Sequence, residues 1–100
     1  MKGLISDLNK AFDNKVRLGI MSVLVTKNES DFNDLKAILD VTDGNLASHL
    51  KALEKENYIE VVKQFIGRKP NTKYLLTKEG ILAFKKHINA LEALISNKNT

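Results

Sequence analysis

Apolar residues recur along this chain mostly at helical spacing, with one interval of strand-like composition. Leu4, Ile5, Leu8, Ala11 and Phe12 fall on one face of a predicted helix over residues 3–12, too short to hold alone and needing something to pack on. Asp13 is placed to cap a second helix, 14–26. There Val16, Leu18, Ile20, Met21, Val23, Leu24 and Val25 run almost all round, the mark of a central core helix. Lys27-Asn28-Glu29 reads as a polar turn. Ser30 or Asp31 then caps a third helix ending near Leu39, with Phe32, Leu35, Ile38 and Leu39 inward. Asp40-Val41 leaves only a short link to the next element, and two helices joined so tightly are a helix-turn-helix.

The helix after that link divides its faces unusually. Val41, Leu46, Leu50 and Leu53 form the apolar stripe, Thr42 is a good N-cap, and Val41 with Leu46 makes a hydrophobic staple. The other face carries Gly44, Asn45, Ser48, Lys51 and Lys55. A merely solvated face would favour strong helix formers such as Glu, Lys and Gln. Small hydrogen-bonding residues followed by lysines suit entry into a DNA major groove: the amide and hydroxyl read base edges and the lysines meet phosphate. Asp43 in the first turn is first a dipole partner and second a reader of cytosine. His49, on the flank, either donates to a phosphate or makes a structural hydrogen bond. Asn57 is placed to end this helix in a left-handed conformation.

Residues 58–66 are rich in β-branched and aromatic side chains and read as a strand; Gly67-Arg68-Lys69-Pro70-Asn71 is a turn cluster, and residues 72–76 are a second strand. This hairpin carries Lys63, Arg68, Lys69 and Lys73, and no acid occurs from Lys63 to Lys78. Thr77 caps a last helix over residues 77–97, whose Ile81, Phe84, Ile88, Leu91 and Ile95 are spaced 3, 4, 3, 4, a coiled-coil seam. The fold class is therefore mainly α with a small β-hairpin, a winged helix-turn-helix. It is one domain with a core over 14–76 and terminal helices placed to dimerise through Leu4, Leu8, Phe12, Phe84, Ile88, Leu91 and Ile95.

Composition narrows the function. One hundred residues make one domain, and 43% hydrophobic content is enough for a small core. The formal net charge of +4 favours polyanionic partners. Without cysteine there is neither disulfide nor thiolate-bound metal, and His49 and His87 are too far apart to form a metal site; His87 is expected at the surface or a dimer rim. No glycine-rich phosphate loop or nucleophile motif occurs, so neither an enzyme nor a cofactor is expected. No apolar run is long enough to span a bilayer, and a soluble cytoplasmic protein is expected. Three readings fit the basic face: a sequence-specific regulator on double-stranded DNA, a module that meets an acidic protein, and a non-specific architectural DNA-binding protein.

The run Phe32, Leu35, Leu39, Thr42-Asp43-Gly44-Asn45-Leu46, His49-Leu50, Leu53-Glu54, then Tyr58-Ile59, Phe65, Gly67-Arg68-Lys69-Pro70, Thr72, Tyr74, Leu76-Thr77, Glu79-Gly80 and Ala83-Phe84 resembles the compact winged-helix transcriptional regulators of bacteria and archaea. These are small relatives of the MarR and ArsR groups. The resemblance covers residues 14–95 and is most specific over 31–84. It implies a homodimer with recognition helices in successive major grooves and wings over the flanking minor grooves or backbone; a repressor on a palindromic operator is the function expected. Thr42, Asp43, Gly44, Asn45, Ser48 and His49 would then lie in the reading helix and Arg68 and Lys69 at the tip of the wing, with Lys51, Lys55, Lys63, Gly67, Asn71 and Lys73 beside them. The long extra helices of larger MarR-like proteins are absent, and the cysteine-containing metal motif of many ArsR-like sensors is replaced by Ala37-Ile38-Leu39-Asp40.

Overall fold

The computed structural model describes residues 5–96. Its elements are α1 (Lys15–Lys27), β1 (Glu29–Asp31), α2 (Phe32–Leu39), α3 (Asp43–Lys55), β2 (Ile59–Ile66), β3 (Lys69–Leu76) and α4 (Lys78–Ser96). The strands form one antiparallel sheet in the order β1-β3-β2. Among the described residues no helix is long and apolar enough to cross a membrane.

Side-chain caps set the helix ends. The Oδ1 of Asn14 accepts from the N–H of Val16 and Arg17, so α1 is capped one residue later than expected. Asp31 caps α2 through the N–H of Asp34 at 2.8 Å, and Thr42 caps α3 through the N–H of Asn45 at 3.2 Å. Asn57 has φ 63°; its N–H donates to Glu54 O and that of Tyr58 to Leu53 O, a complete Schellman closure of α3. The link before α3 turns on Asp40, itself left-handed at φ 53°.

The core lies between α1, α2, α3 and the sheet. Ile20, Met21, Leu24, Leu35, Leu46, Leu53 and Ile59 are fully buried, with Leu50 almost so. β1 differs from the expectation of a turn at Glu29 and a helix cap at Ser30 or Asp31: Ser30 faces Tyr74 across the ladder and both are buried. Three polar residues carry no periodicity, and only the open edge of β3 makes them a strand.

The N-terminal helix expected over 3–12 is not formed in the described part. Residues 5–7 make a turn and only Lys10–Phe12 closes a single 3-10 turn. Asn9 is the cause. Its side chain accepts from the N–H of Ala11 and donates to the Tyr58 hydroxyl, while its own N–H is drawn away to His87; such local bonding competes with helix. Leu4 and Asn97 lie outside the described residues.

Phe12 and Phe84, expected at a dimer interface, are buried within this chain at 5.4 Å edge-to-face, and Phe12 also meets Tyr58. His87, expected at the surface, is buried on the edge of Phe12. The 3-4 seam of α4 is therefore divided: Phe84 belongs to the domain core, while Ile81 before it is exposed.

Thr77 joins α4 to the sheet with no linker. Its N–H donates to Tyr58 O, its hydroxyl donates to Asn57 O, and Oγ1 of Thr77 also accepts from the N–H of Gly80 at 2.9 Å. Asn57 also donates to Glu79. A Cβ at Gly80 would stand 2.0 Å from Tyr58 O, so only glycine permits this approach.

Candidate nucleic-acid interface

α3 buries Leu46, Leu50 and Leu53 and leaves Asp43, Gly44, Asn45, Ser48, Lys51 and Lys55 exposed. Nothing lies within 4 Å of a Cβ built at Gly44. The side chains of Asn45 and Ser48 make no hydrogen bond to the described residues. Both retain their full donor and acceptor capacity beside two lysines.

Three expected readers are differently occupied. The Thr42 hydroxyl holds the cap, though the residue is exposed. Asp43 meets Lys36 of α2 at 2.8 Å, a surface pair that also ties the two helices of the motif. His49 is half-buried, and burial, then the positive charge of Arg17, hold its pKa below the usual value.

The wing's loop is shorter than the turn cluster suggested. Ile66 pairs with Lys69, so only Gly67 and Arg68 form the loop, and Lys69, Pro70 and Asn71 belong to β3. Gly67 has φ 65° and Arg68 does not share a positive φ, the pattern of a hairpin with glycine at its first loop position. Pro70 lies beyond the reach of β1, which pairs only with residues 73–75, so its missing N–H breaks no bond on that edge.

Strand alternation sorts the wing into two faces. Val61 and Tyr74, Lys63 and Thr72, and Phe65 and Pro70 are cross-strand pairs on the face that turns toward α3. Ala47, Lys51, Glu54, Lys63, Thr72 and Tyr74 line the groove between helix and hairpin. Burial, then Glu54, push the Tyr74 hydroxyl's pKa up, so it stays a neutral donor. The other face holds Lys73, paired with Glu29 at 2.7 Å, and Asn71, hydrogen-bonded to Gln64 and Asp31. Lys73 and Asn71, expected among the DNA-binding residues of the wing, are thus each engaged within the chain. Lys51, Lys55, Lys63, Arg68 and Lys69 have no ion pair among the described residues.

Sequence reasoning passed over Phe65 and Ile66. They are 73% and 62% exposed at the wing tip. The available signal was their position: beyond the length of sheet that α3 and β1 cover. On α4, Ile81, Leu82, Ile88 and Ile95 are exposed and Leu91 is half-buried. Leu8 and Leu91 line a shallow hollow with Ile5, Phe12 and His87. The described residues hold no cluster of His, Cys, Asp or Glu suited to a metal ion.

A basic hairpin beside an open, polar reading helix defines a DNA-binding winged helix, and the family comparison agrees. The model of the winged helix DNA-binding domain matches residues 16–95, so the chain belongs to that family. An uncharacterized protein of Methanocaldococcus jannaschii is 38% identical over 88 residues, covering 88% of this chain and 96% of that one. A transcriptional regulator homologue from Pyrococcus horikoshii superposes with TM-score 0.84 at 30% identity, over 97% of this chain and 94% of that one. A mutant MarR from E. coli, solved in complex with operator DNA, shares the fold at TM-score 0.74 and 14% identity, over 95% of this chain and 68% of that one. The protein is a winged-helix DNA-binding regulator, and the solved structures that share its fold include a transcriptional regulator of the MarR family from Enterococcus faecalis.

Proposed function

We propose that this protein is a homodimeric, sequence-specific regulator that occupies a palindromic operator on double-stranded DNA in the cytoplasm and represses by excluding polymerase. The observation that carries the reading is the unoccupied Asn45 and Ser48 pair on the exposed face of α3. A surface that only attracted polyanions would need charge alone. Here uncommitted amide and hydroxyl groups stand between Gly44, which admits close approach, and Lys51 and Lys55, placed for phosphate. Lys63 continues the phosphate track onto the wing.

Dimerisation supports the same reading. One α3 reads a short half-site, and two fixed about 34 Å apart match successive major grooves. Leu8, Ile88, Leu91 and Ile95 are among the apolar residues of the terminal segments that the domain core leaves wholly or partly uncovered. The operator-bound MarR mutant shows that this fold can dock on duplex DNA.

Selection of bound sequences from a random duplex pool tests the proposal. The expected result is a palindromic motif with half-sites one helical turn apart. Binding without enrichment would point to an architectural role, and absence of binding to a partner other than DNA.

A further inference from the structure

The wing outgrows the sheet that supports it. β1 pairs only with residues 73–75 of β3, so residues 63–66 and 69–72 project as a two-stranded ribbon. Such a ribbon twists more strongly than a wider sheet and is barely stable by itself. Among the described residues, one side chain ties it to the helices by hydrogen bonds: Asp31, at the end of β1. Oδ2 of Asp31 accepts from Nδ2 of Asn71 at 3.2 Å, and Oδ1 of Asn71 accepts from Nε2 of Gln64 at 3.0 Å. Oδ1 of Asp31 meanwhile accepts from the N–H of Asp34 at 2.8 Å, the cap of α2. One polar line thus crosses β2, β3 and the start of α2. Gln64 is the one residue of 62–66 that is half-buried and not exposed. Lys73 stands directly across the ladder from Asp31, yet its ammonium pairs with Glu29 at 2.7 Å. The carboxylate of Asp31 is left to the cap and to Asn71. Beyond α2 the line reaches the reading helix, where Lys36 meets Asp43 in the first turn of α3 at 2.8 Å.

We infer that Asp31 is a positioning residue for DNA recognition: its carboxylate ties the wing to α2 at the angle at which Lys63 and α3 meet one duplex together. The inference rests on the DNA-binding reading above. A wing fixed before contact loses less freedom on binding, so more of each contact shows as affinity. Lys63 pairs with Thr72 and Gln64 with Asn71, so Lys63 stands on the face of the ribbon opposite Asn71. Asp31 therefore acts on Lys63 only through the placement of the strands. The sign of the effect separates placement from charge. Asp31 is an acid in a protein that binds a polyanion, and by charge alone its removal strengthens binding. By placement its removal weakens binding.

The test is a set of double-mutant cycles on the duplex recovered by selection. Asp31→Ser keeps a capping hydroxyl for α2 but is too short to reach Asn71. It should bind about tenfold more weakly than wild type, the size of one lost hydrogen bond to a charged group. Lys63→Ala should weaken wild type severalfold and Asp31→Ser hardly at all, because the loose wing no longer delivers that contact. Asn45→Ala should cost both backgrounds equally, since α3 keeps its place. Asn71→Ala leaves the cap untouched; it should reproduce the loss of Asp31→Ser and add nothing to it. Amide exchange should quicken over residues 62–72 in both variants and stay as in wild type over α2. Asp31→Ser that binds as tightly as wild type, or more tightly, overturns the inference and leaves the DNA-binding reading standing. So does a Lys63→Ala loss of equal size in both backgrounds, which would make Asp31 a matter of general stability. An Asn71→Ala loss that persists in Asp31→Ser also overturns it, since Asn71 would then touch DNA itself. If Asp31→Ser fails to fold, Asn71→Ala carries the same cycle with Lys63→Ala. Wild type that binds no duplex removes both readings together.

Discussion

The main-chain N–H of Asn9 donates to Nδ1 of His87 at 2.9 Å, across 78 positions of sequence. To accept, Nδ1 must be unprotonated. Burial holds the pKa of His87 below the usual value, partly opposed by the nearby carboxylate of Asp13. Lys10 and Asp13 are the charged groups lining the adjoining hollow.

Stability follows from the sign of that shift. A histidine whose pKa is lowered by folding takes up its proton first in the unfolded chain. His87 should therefore contribute fully above about pH 6.5, and its contribution should fall as pH drops toward its folded value, at no more than about 1.4 kcal/mol per pH unit. His49 shifts in the same direction. Urea unfolding at about pH 7.5 and about pH 5.5 should show the loss in wild type, a smaller one in His87→Gln, and the smallest in the variant with both histidines replaced by Gln. Equal slopes in all three would place the pH dependence elsewhere.

Two glycines should respond in opposite ways to alanine. Gly80→Ala drives a methyl group into Tyr58 O and should cost about 2 kcal/mol or more, read as a lower denaturant midpoint. Gly44→Ala meets open space on a helix and should stabilise by about 0.4–1 kcal/mol. It should weaken operator binding all the same, because the added methyl stands on the reading face. If Gly44→Ala binds as wild type does, DNA does not approach α3 at that point.

Reading and holding should separate by mutation. Asn45→Ala or Ser48→Ala should lower operator preference over random DNA by about 1–3 kcal/mol for a lost base contact. Lys63→Ala should weaken both and reduce the log–log salt slope by about one per subunit. Lys73→Ala should change the slope less, since Glu29 already neutralises Lys73. Equal slope changes for the two lysines would mean the pair opens on DNA.

The dimer is tested without DNA. Ile88 is 38% exposed and Ile95 85% exposed on α4, so the domain core leaves both available to a partner. Ile88→Asp or Leu91→Asp should give monomers in sedimentation equilibrium at concentrations where wild type is dimeric, because a buried unpaired carboxylate is costly. Operator affinity should drop in parallel. A monomeric wild type would refute the seam.

What the sequence made legible was what local chemistry decides. Thr42, Asp31, Asn57 and Thr77 mark helix boundaries because a capping side chain acts within a few residues of itself. β1 was illegible because Glu29-Ser30-Asp31 has no strand character until Tyr74 and its neighbours are beside it. The stripe Leu8, Ala11, Phe12 looked helical, yet Asn9 answers to His87 and Tyr58, both distant in sequence. The wing's turn is shorter than its residue types suggest because ladder register, set by Ile59 against Leu76, extends β3 back to Lys69. At the candidate site, residue types on α3 were readable, whereas the engagement of Asp43 by Lys36 and of Lys73 by Glu29 depends on elements meeting in space.

The union of Thr77, Gly80, Asn57 and Tyr58 makes α4 a lever without a hinge. Its root is held to the close of α3 and the opening of β2 through main-chain and side-chain bonds and a contact no side chain could enter. Nineteen residues carry the far end of the helix about 28 Å from that root. A tilt of about 5° at the root therefore moves the far end by about 2.5 Å, and the converse holds with equal force. Whatever displaces Ile95 must swing the reading helix and wing as one solid piece, which makes the distal end of α4 the place where a small push has the longest arm.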